Sequence, residues 1–200
     1  MIDWLDTRYY YLLLMLLSIS YPLIRSFENK IRFYKNWKSL VFAISIMMTI
    51  FITWDVIFTN LSVWSFNDRY ILGYKFLSLP IEEWMFFICI PYSCVFIHEV
   101  LSYFFPIKKI RFNIYRFNQG LAVLLFIIGL TSWGKIYTSF CFVLTGLFLL
   151  LLKRKKIHLI ALIYRTFTVS LIPFFIVNGI LTGALTDEPI VIYNNLQTSM

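Results

Sequence analysis

The sequence predicts an all-α protein: a polytopic transmembrane helical bundle with six spans. Three observations carry that reading. Apolar residues make up 60% of the 200 and charged residues only 14%, with a mean hydropathy of +0.77, where a soluble domain is about a quarter charged. The runs Phe117–Gly134 and Ile136–Leu152 hold no charge at all, close to the roughly 20 residues that cross a bilayer core. Finally, the basic residues recur in alternate loops.

Charges bound the spans at Tyr9–Ile24, Ser39–Thr59, Ile81–Phe105, Phe117–Gly134, Ile136–Leu152 and Ile157–Leu185. The break Trp133-Gly134-Lys135 is short enough to fold the fourth and fifth into an antiparallel hairpin. The loops after the first, third and fifth spans hold Arg25, Lys30, Arg32, Lys35, Lys38; Lys108, Lys109, Arg111, Arg116; and Lys153, Arg154, Lys155, Lys156, which is 13 of the 18 basic residues. Only Arg165 lies inside a span. The positive-inside pattern puts these loops in the cytoplasm and both termini outside, in a cell (inner) membrane. Met1–Arg8, with Asp3 and Asp6 and no basic stretch, does not resemble a cleavable signal peptide. The net charge of +8 then reports cytoplasmic loops facing anionic lipid, and no nucleic-acid partner is expected.

Acids show the reverse bias. Asp3, Asp6, Asp55, Asp68, Glu82, Glu83, Asp187 and Glu188 all map to the outer half, against Glu28 and Glu99. Asp55 lies 16 residues beyond Ser39, about 24 Å along a helix, so it sits inside the membrane near its outer edge. In Pro80-Ile81-Glu82-Glu83, proline suits the first helical position and places both glutamates in the first turn. They complement the helix dipole there, yet acids at the edge of an apolar interior are also the default functional candidates, and close carboxyls can share a proton. Thr59 lies one turn from Asp55, on the same face. Aromatic residues, 20% of the chain, gather at this level: Trp54, Trp64, Phe66, Tyr70, Trp84, Phe86, Phe87 and Tyr193. They read as an interfacial belt or as walls of a greasy pocket whose ring faces stabilise a cation by ~0.5–2 kcal/mol each.

Other chemistries find little support. Cys89, Cys94 and Cys141 stand in apolar stretches without C-x-x-C spacing, His98-Glu99 sits near the cytoplasmic end, and His158 is in a basic loop. No metal site, phosphate loop, dinucleotide fingerprint or Ser-His-Asp set is expected, and no cofactor is evident.

The stretch Asp55–Thr59 followed by Val63–Asn67 has a weak copy in Asn178–Thr182 followed by Ile190–Asn194. Both leave the membrane on the same side, so the repeats are parallel. The expected plan is three-plus-one-plus-three: residues 1–105 as the first repeat, 106–135 as a connector helix and 136–200 as a second repeat, with a seventh span expected after residue 200.

Thr53-Trp-Asp-Val-Ile-Phe-Thr59, Val63-Trp-Ser-Phe-Asn67, Gly73, Pro80–Glu83, Phe174–Gly183 and Glu188–Asn195 together resemble the bacterial and archaeal membrane lycopene β-cyclases, in the form that fuses two small subunits. The family's second repeat proceeds to its own P-x-E-[DE] motif, whereas this sequence ends at Gln197–Met200. The resemblance implies a lycopene-like carotenoid substrate taken from the bilayer. It also implies conversion of acyclic end groups to β-rings by proton-initiated, non-redox cyclisation through a carbocation, an isomerase reaction. Glu82 or Glu83 would be the acid and Asp55 its support. Trp54, Thr59, Trp64, Phe66, Asn67, Tyr70, Trp84, Phe87, Asn178, Glu188, Tyr193 and Asn194 would line the pocket or steady the cation, with Asp187 and Glu188 second-rank acids. A homo-oligomer or contact with other carotenoid-pathway enzymes is the partner expectation. The rival readings are an end-group hydratase, a small transporter on the same helical plan and a retinal photoreceptor, although no span interior carries a lysine.

Overall fold

A computed structural model describes residues 7–107, 113–152 and 156–194. Asp3, Asp6, Lys108, Lys109, Arg111, Lys153, Arg154, Lys155, Asn195 and Gln197–Met200 lie outside the described residues. Six helices form in order: α1 (Tyr10–Arg25), α2 (Trp37–Asn60, preceded by the 3-10 turn Phe33–Asn36), α3 (Ile81–Phe104), α4 (Ile114–Thr131), α5 (Ile136–Leu151) and α6 (Ile157–Leu181). Four of them, with the 3-10 turn joined to α2, are long and apolar enough to cross a membrane. The 16-residue α1 and α5 rise about 24 Å each. Large apolar side chains such as Leu17, Ile24, Phe42, Ile172 and Phe175 project outward, as lipid contact requires and water would penalise. This is a helical membrane protein.

The helix ends differ from the sequence expectation where a cap intervenes. The α4 helix starts at Ile114, not Phe117, because the Asn113 side chain accepts from the Arg116 N–H. It stops at Thr131 because 132–135 forms the turn to α5, closed by Lys135 N–H on the Ser132 carbonyl. The α6 helix stops at Leu181, not Leu185. Gly183 takes φ +100°, Gly183 N–H reaches Ile180 and Ala184 N–H reaches Gly179, which is the Schellman stop. The α2 helix ends the same way, with Ser62 at φ 57° and bonds from Ser62 to Thr59 and from Val63 to Phe58.

Arg165, the odd cation of the sixth span, caps the far end of α3. Its guanidinium donates to the Phe105 carbonyl and, at 3.0 Å, to Ser102 Oγ. Beside it His98 Nδ1 meets Thr166 Oγ1 at 2.8 Å. These polar contacts, with Ser26, Trp37 and Tyr92 hydrogen-bonded around Phe33 and Phe96, fasten the end that carries the basic loops. The α4–α5 hairpin closes on Gly146, where an added Cβ would stand 2.9 Å from the Ala122 carbonyl oxygen.

Four short strands add what periodicity did not reveal: β1 (Trp64–Phe66), β2 (Lys75–Phe76), β3 (Leu79–Pro80) and β4 (Val191–Tyr193). The β2–β3 hairpin turns through Leu77 and Ser78, both at positive φ, as a two-residue hairpin demands. β1 and β4 are the two copies of the internal echo, and they pair with each other antiparallel: Trp64 opposite Tyr193, Ser65 opposite Ile192, Phe66 opposite Val191. Under the echo, Ser65 and Ile192 are equivalent positions, so the register is symmetric about that pair. The flanking bonds agree, since Asn67 N–H reaches Ile190 and Asn194 N–H reaches Val63, each at 2.9 Å. An approximate two-fold axis therefore runs through the ribbon and ties the ends of α2 and α6 together at one end of the bundle.

Candidate active site

Helix ends bring the polar residues to one level. Tyr11 and Tyr137 are the second residues of α1 and α5, Glu83 is the third of α3, and Asp55 and Asn178 lie five and three residues before the ends of α2 and α6. The two acids of this level meet. Asp55 is 5% exposed and Glu83 9%, and their carboxyl groups are hydrogen-bonding neighbours. Asp55 Oδ1 accepts from Trp64 Nε1 at 2.7 Å and from Thr59 Oγ1 at 3.4 Å. Glu83 Oε2 accepts from the Tyr11 hydroxyl at 2.5 Å. Among the described residues, no N–H or O–H reaches Asp55 Oδ2. Bare carboxylates carry acceptors only, so two carboxyl groups in contact can bond to each other only through a proton held by one of them.

Beside the pair opens a cavity of about 410 Å³. Tyr11, Asp55, Trp64, Glu83, Tyr137, Asn178 and Tyr193 form its polar end. One or two turns nearer the bilayer centre, Phe51, Phe87, Leu144 and Phe174 form its apolar side, and Phe51, Leu144 and Phe174 are themselves exposed on the lipid-facing surface. Trp54 stands edge-on to Phe140 at 4.7 Å and lies parallel to Phe51 at 5.8 Å. Trp64 stacks on Phe58 at 5.1 Å and meets Tyr137 edge-on at 5.6 Å. Tyr193, on the ribbon above the helices, has its phenol pushed up by burial first and by the charges of Glu83 and Asp55 second, so it remains a neutral hydroxyl.

The sequence candidates divide. Asp55, Glu83, Trp54, Trp64, Phe66, Phe87, Asn178 and Tyr193 line the cavity. Thr59 touches it only through Asp55. Glu82, fully buried, is not among the lining residues: its Oε1 accepts from the Leu72 N–H at 2.8 Å and fastens the outer loop. Adjacent helical residues point about 100° apart, and it is Glu83, not Glu82, whose carboxyl neighbours that of Asp55 at the cavity. Tyr70 is buried in the core against Tyr10, and its carbonyl accepts from Tyr11 N–H. Asn67 donates to Glu188 Oε2 at 2.8 Å, a loop contact outside the cavity, and Asp187 pairs with Arg69 at 3.7 Å. Trp84 turns outward, its indole donating to the Phe76 carbonyl, and Asn194 sits at the end of the ribbon. Tyr11, Phe51, Tyr137, Cys141, Leu144, Thr145 and Phe174 enter the wall without having been singled out. The repeat was the available signal for Tyr137, which holds in α5 the place Tyr11 holds in α1. No group of three or more His, Cys, Asp or Glu able to hold a metal ion occurs among the described residues.

This fold and this site define a class: an integral helical membrane protein with a buried acid pair facing an aromatic, lipid-side cavity. The chain belongs to the lycopene cyclase family, whose model matches residues 8–101 and 134–200. The unmatched interval contains the whole of α4. A bifunctional lycopene cyclase/phytoene synthase of Phaeosphaeria nodorum is 26% identical to it over 102 residues, 48% of this chain and 17% of that protein. The chain thus spans a small fraction of that relative's length. No solved structure matches it.

Proposed function

We propose that the protein is a lycopene β-cyclase of carotenoid biosynthesis, an isomerase that closes β-rings on the acyclic ends of lycopene, with Glu83 and Asp55 as its proton-handling pair. The observation that carries this is the contact of two buried carboxyl groups at the polar end of a cavity whose other side is aromatic and faces lipid. A hydrocarbon offers no polar handle, so it is held by burial of apolar area and enters from the bilayer past Phe51 and Phe174. The pair donates its proton to the terminal double bond. The resulting tertiary cation is attacked by an internal double bond, forming the ring bond, and a proton lost from the ring carbon returns to the pair. One proton leaves and one comes back, so the substrate's atoms and electrons are conserved. The faces of Trp54, Trp64 and Phe87 supply negative quadrupole density to the passing cation. Donation by a fixed acid is worth about 10²–10⁴-fold. The basic loops support an orientation with the acid pair on the non-cytoplasmic side of the cell membrane.

Expression in lycopene-accumulating cells tests this. A shift of pigment from acyclic to cyclic products at unchanged mass supports the cyclase. Oxygenated product points to hydration, and unaltered pigment with solute movement across vesicles points to transport.

A further inference from the structure

Tyr11 has no role in any reading of the sequence, yet among the described residues it makes the one side-chain hydrogen bond to Glu83 that comes from a group carrying its own hydrogen. Its hydroxyl lies 2.5 Å from Glu83 Oε2, its side chain is 0% exposed, and its backbone N–H is held at 3.2 Å by the Tyr70 carbonyl. The outer loop that fixes Tyr11 this way also binds the neighbouring turn of α3, through Leu72 N–H on Glu82 Oε1. Tyr11 and Glu83 are thus held in register by one loop.

On the other side of the pair, Trp64 does for Asp55 what Tyr11 does for Glu83. Its indole N–H occupies Oδ1 at 2.7 Å, and among the described residues no N–H or O–H reaches Oδ2. One oxygen of each carboxyl is thus held by a neutral donor, Glu83 Oε2 by the phenol and Asp55 Oδ1 by the indole. A lysine or arginine in either place would favour two ionised carboxylates and discharge the acid; a phenol and an indole orient without supplying charge. Hydrogen bonds to an ionised acceptor are roughly twice as strong as neutral ones, so the Tyr11 bond tightens as the proton leaves Glu83.

We propose that Tyr11 is the positioning residue of the acid pair: it holds Glu83 by Oε2 so that the remaining oxygen stays turned to Asp55, and it steadies the charge left on Glu83 at each proton transfer. The kinetic consequence rests on the cyclase reading; the contact does not.

The test uses the full chain in lipid vesicles, with Tyr11→Phe as the variant, since phenylalanine keeps the ring in the cavity wall. Three quantities are read: kcat against KM with lycopene, the pH–rate profile, and the infrared C=O band of the pair, assigned by its disappearance in Glu83→Gln. Expected are a ~10–100-fold fall in kcat with KM held within about twofold. The profile should move toward higher pH, because Glu83 keeps its proton longer without the donor, and the C=O band should shift. A residue that only fills space would leave profile and band in place, and that outcome overturns the proposal. If Tyr11→Phe does not accumulate, a fluorinated tyrosine at position 11 keeps the shape and strengthens the donor. The profile must then move toward lower pH, and an unmoved profile and band overturn the proposal equally. Should the wild type form no cyclic product, the cyclase reading fails while the infrared band still decides the Tyr11 contact.

Discussion

Exchanging Glu83 for glutamine removes a transferable proton and almost nothing else. The amide oxygen can accept from the Tyr11 hydroxyl as Glu83 Oε2 does at 2.5 Å, and the amide N–H₂ supplies the donor that Asp55 Oδ2 lacks. Side-chain volume is conserved and no buried group loses its partner, so stability should change by no more than about 0.5 kcal/mol. The chemistry should suffer far more. A positioned general acid contributes about 10²–10⁴-fold, equivalent to roughly 2.7–5.5 kcal/mol of barrier. Glu82→Gln makes the matched control. Its carboxyl is as buried but serves Leu72 N–H, a bond an amide oxygen also accepts. It should cost about 0.5–1.5 kcal/mol of stability and leave ring formation within a few-fold of wild type. The assay is the initial rate of cyclic pigment formation in vesicles at equal protein, alongside thermal unfolding of each variant in detergent. Ring formation by Glu83→Gln above about a tenth of the wild-type rate, below even the weakest general-acid contribution, refutes the assignment. So does a Glu82→Gln variant as inactive as Glu83→Gln at normal stability.

Trp64→Phe keeps the stacking on Phe58 but deletes the donor to Asp55 Oδ1; it should cost about 1–3 kcal/mol, read as a lower melting temperature and slower cyclisation. Gly146→Leu drives a side chain into the Ala122 carbonyl and the Phe126 backbone, which should separate α4 from α5 and destabilise by about 1–3 kcal/mol. Gly120→Ala on the same hairpin meets nothing within 4 Å and should leave the melting temperature equal or higher. Ser62→Gly relieves the left-handed cap at φ 57° and should stabilise by about 1 kcal/mol, seen in the same melting experiment. In a single turnover by protein pre-equilibrated in D₂O, each ring closed should carry one solvent-derived deuterium, a mass gain of ~1 Da per ring, because the first proton comes from an exchangeable acid; unlabelled product in that first turnover would exclude proton initiation by the pair.

The six apolar helices and the gathering of acids at one set of helix ends follow from the sequence because they rest on two local quantities, run length and charge placement. A run such as Phe117–Gly134 has no stable place in water whatever its neighbours do. The place of Asp55 near the end of its helix follows from counting residues, and the weak echo was visible because Ile57 and Ile180, Thr59 and Thr182, and Asn67 and Asn194 match.

What the sequence left undecided depends on contacts between segments far apart in the chain. Glu82 and Glu83 are indistinguishable by composition, position and dipole; the packing of α3 against α1 and α2 decides that Glu83 meets Asp55 while Glu82 turns to Leu72. Tyr11 sits in a run of three tyrosines that any interfacial belt would contain, and only a bond across 72 residues separates it from Tyr9 and Tyr10. The ribbon of β1 and β4 is three residues on each side, too short for any period to register, and it forms because two copies of one segment are brought face to face. Run length and hydropathy act on each segment alone, but a shared proton requires two carboxyl groups from different helices to touch, and only the folded bundle determines which ones do.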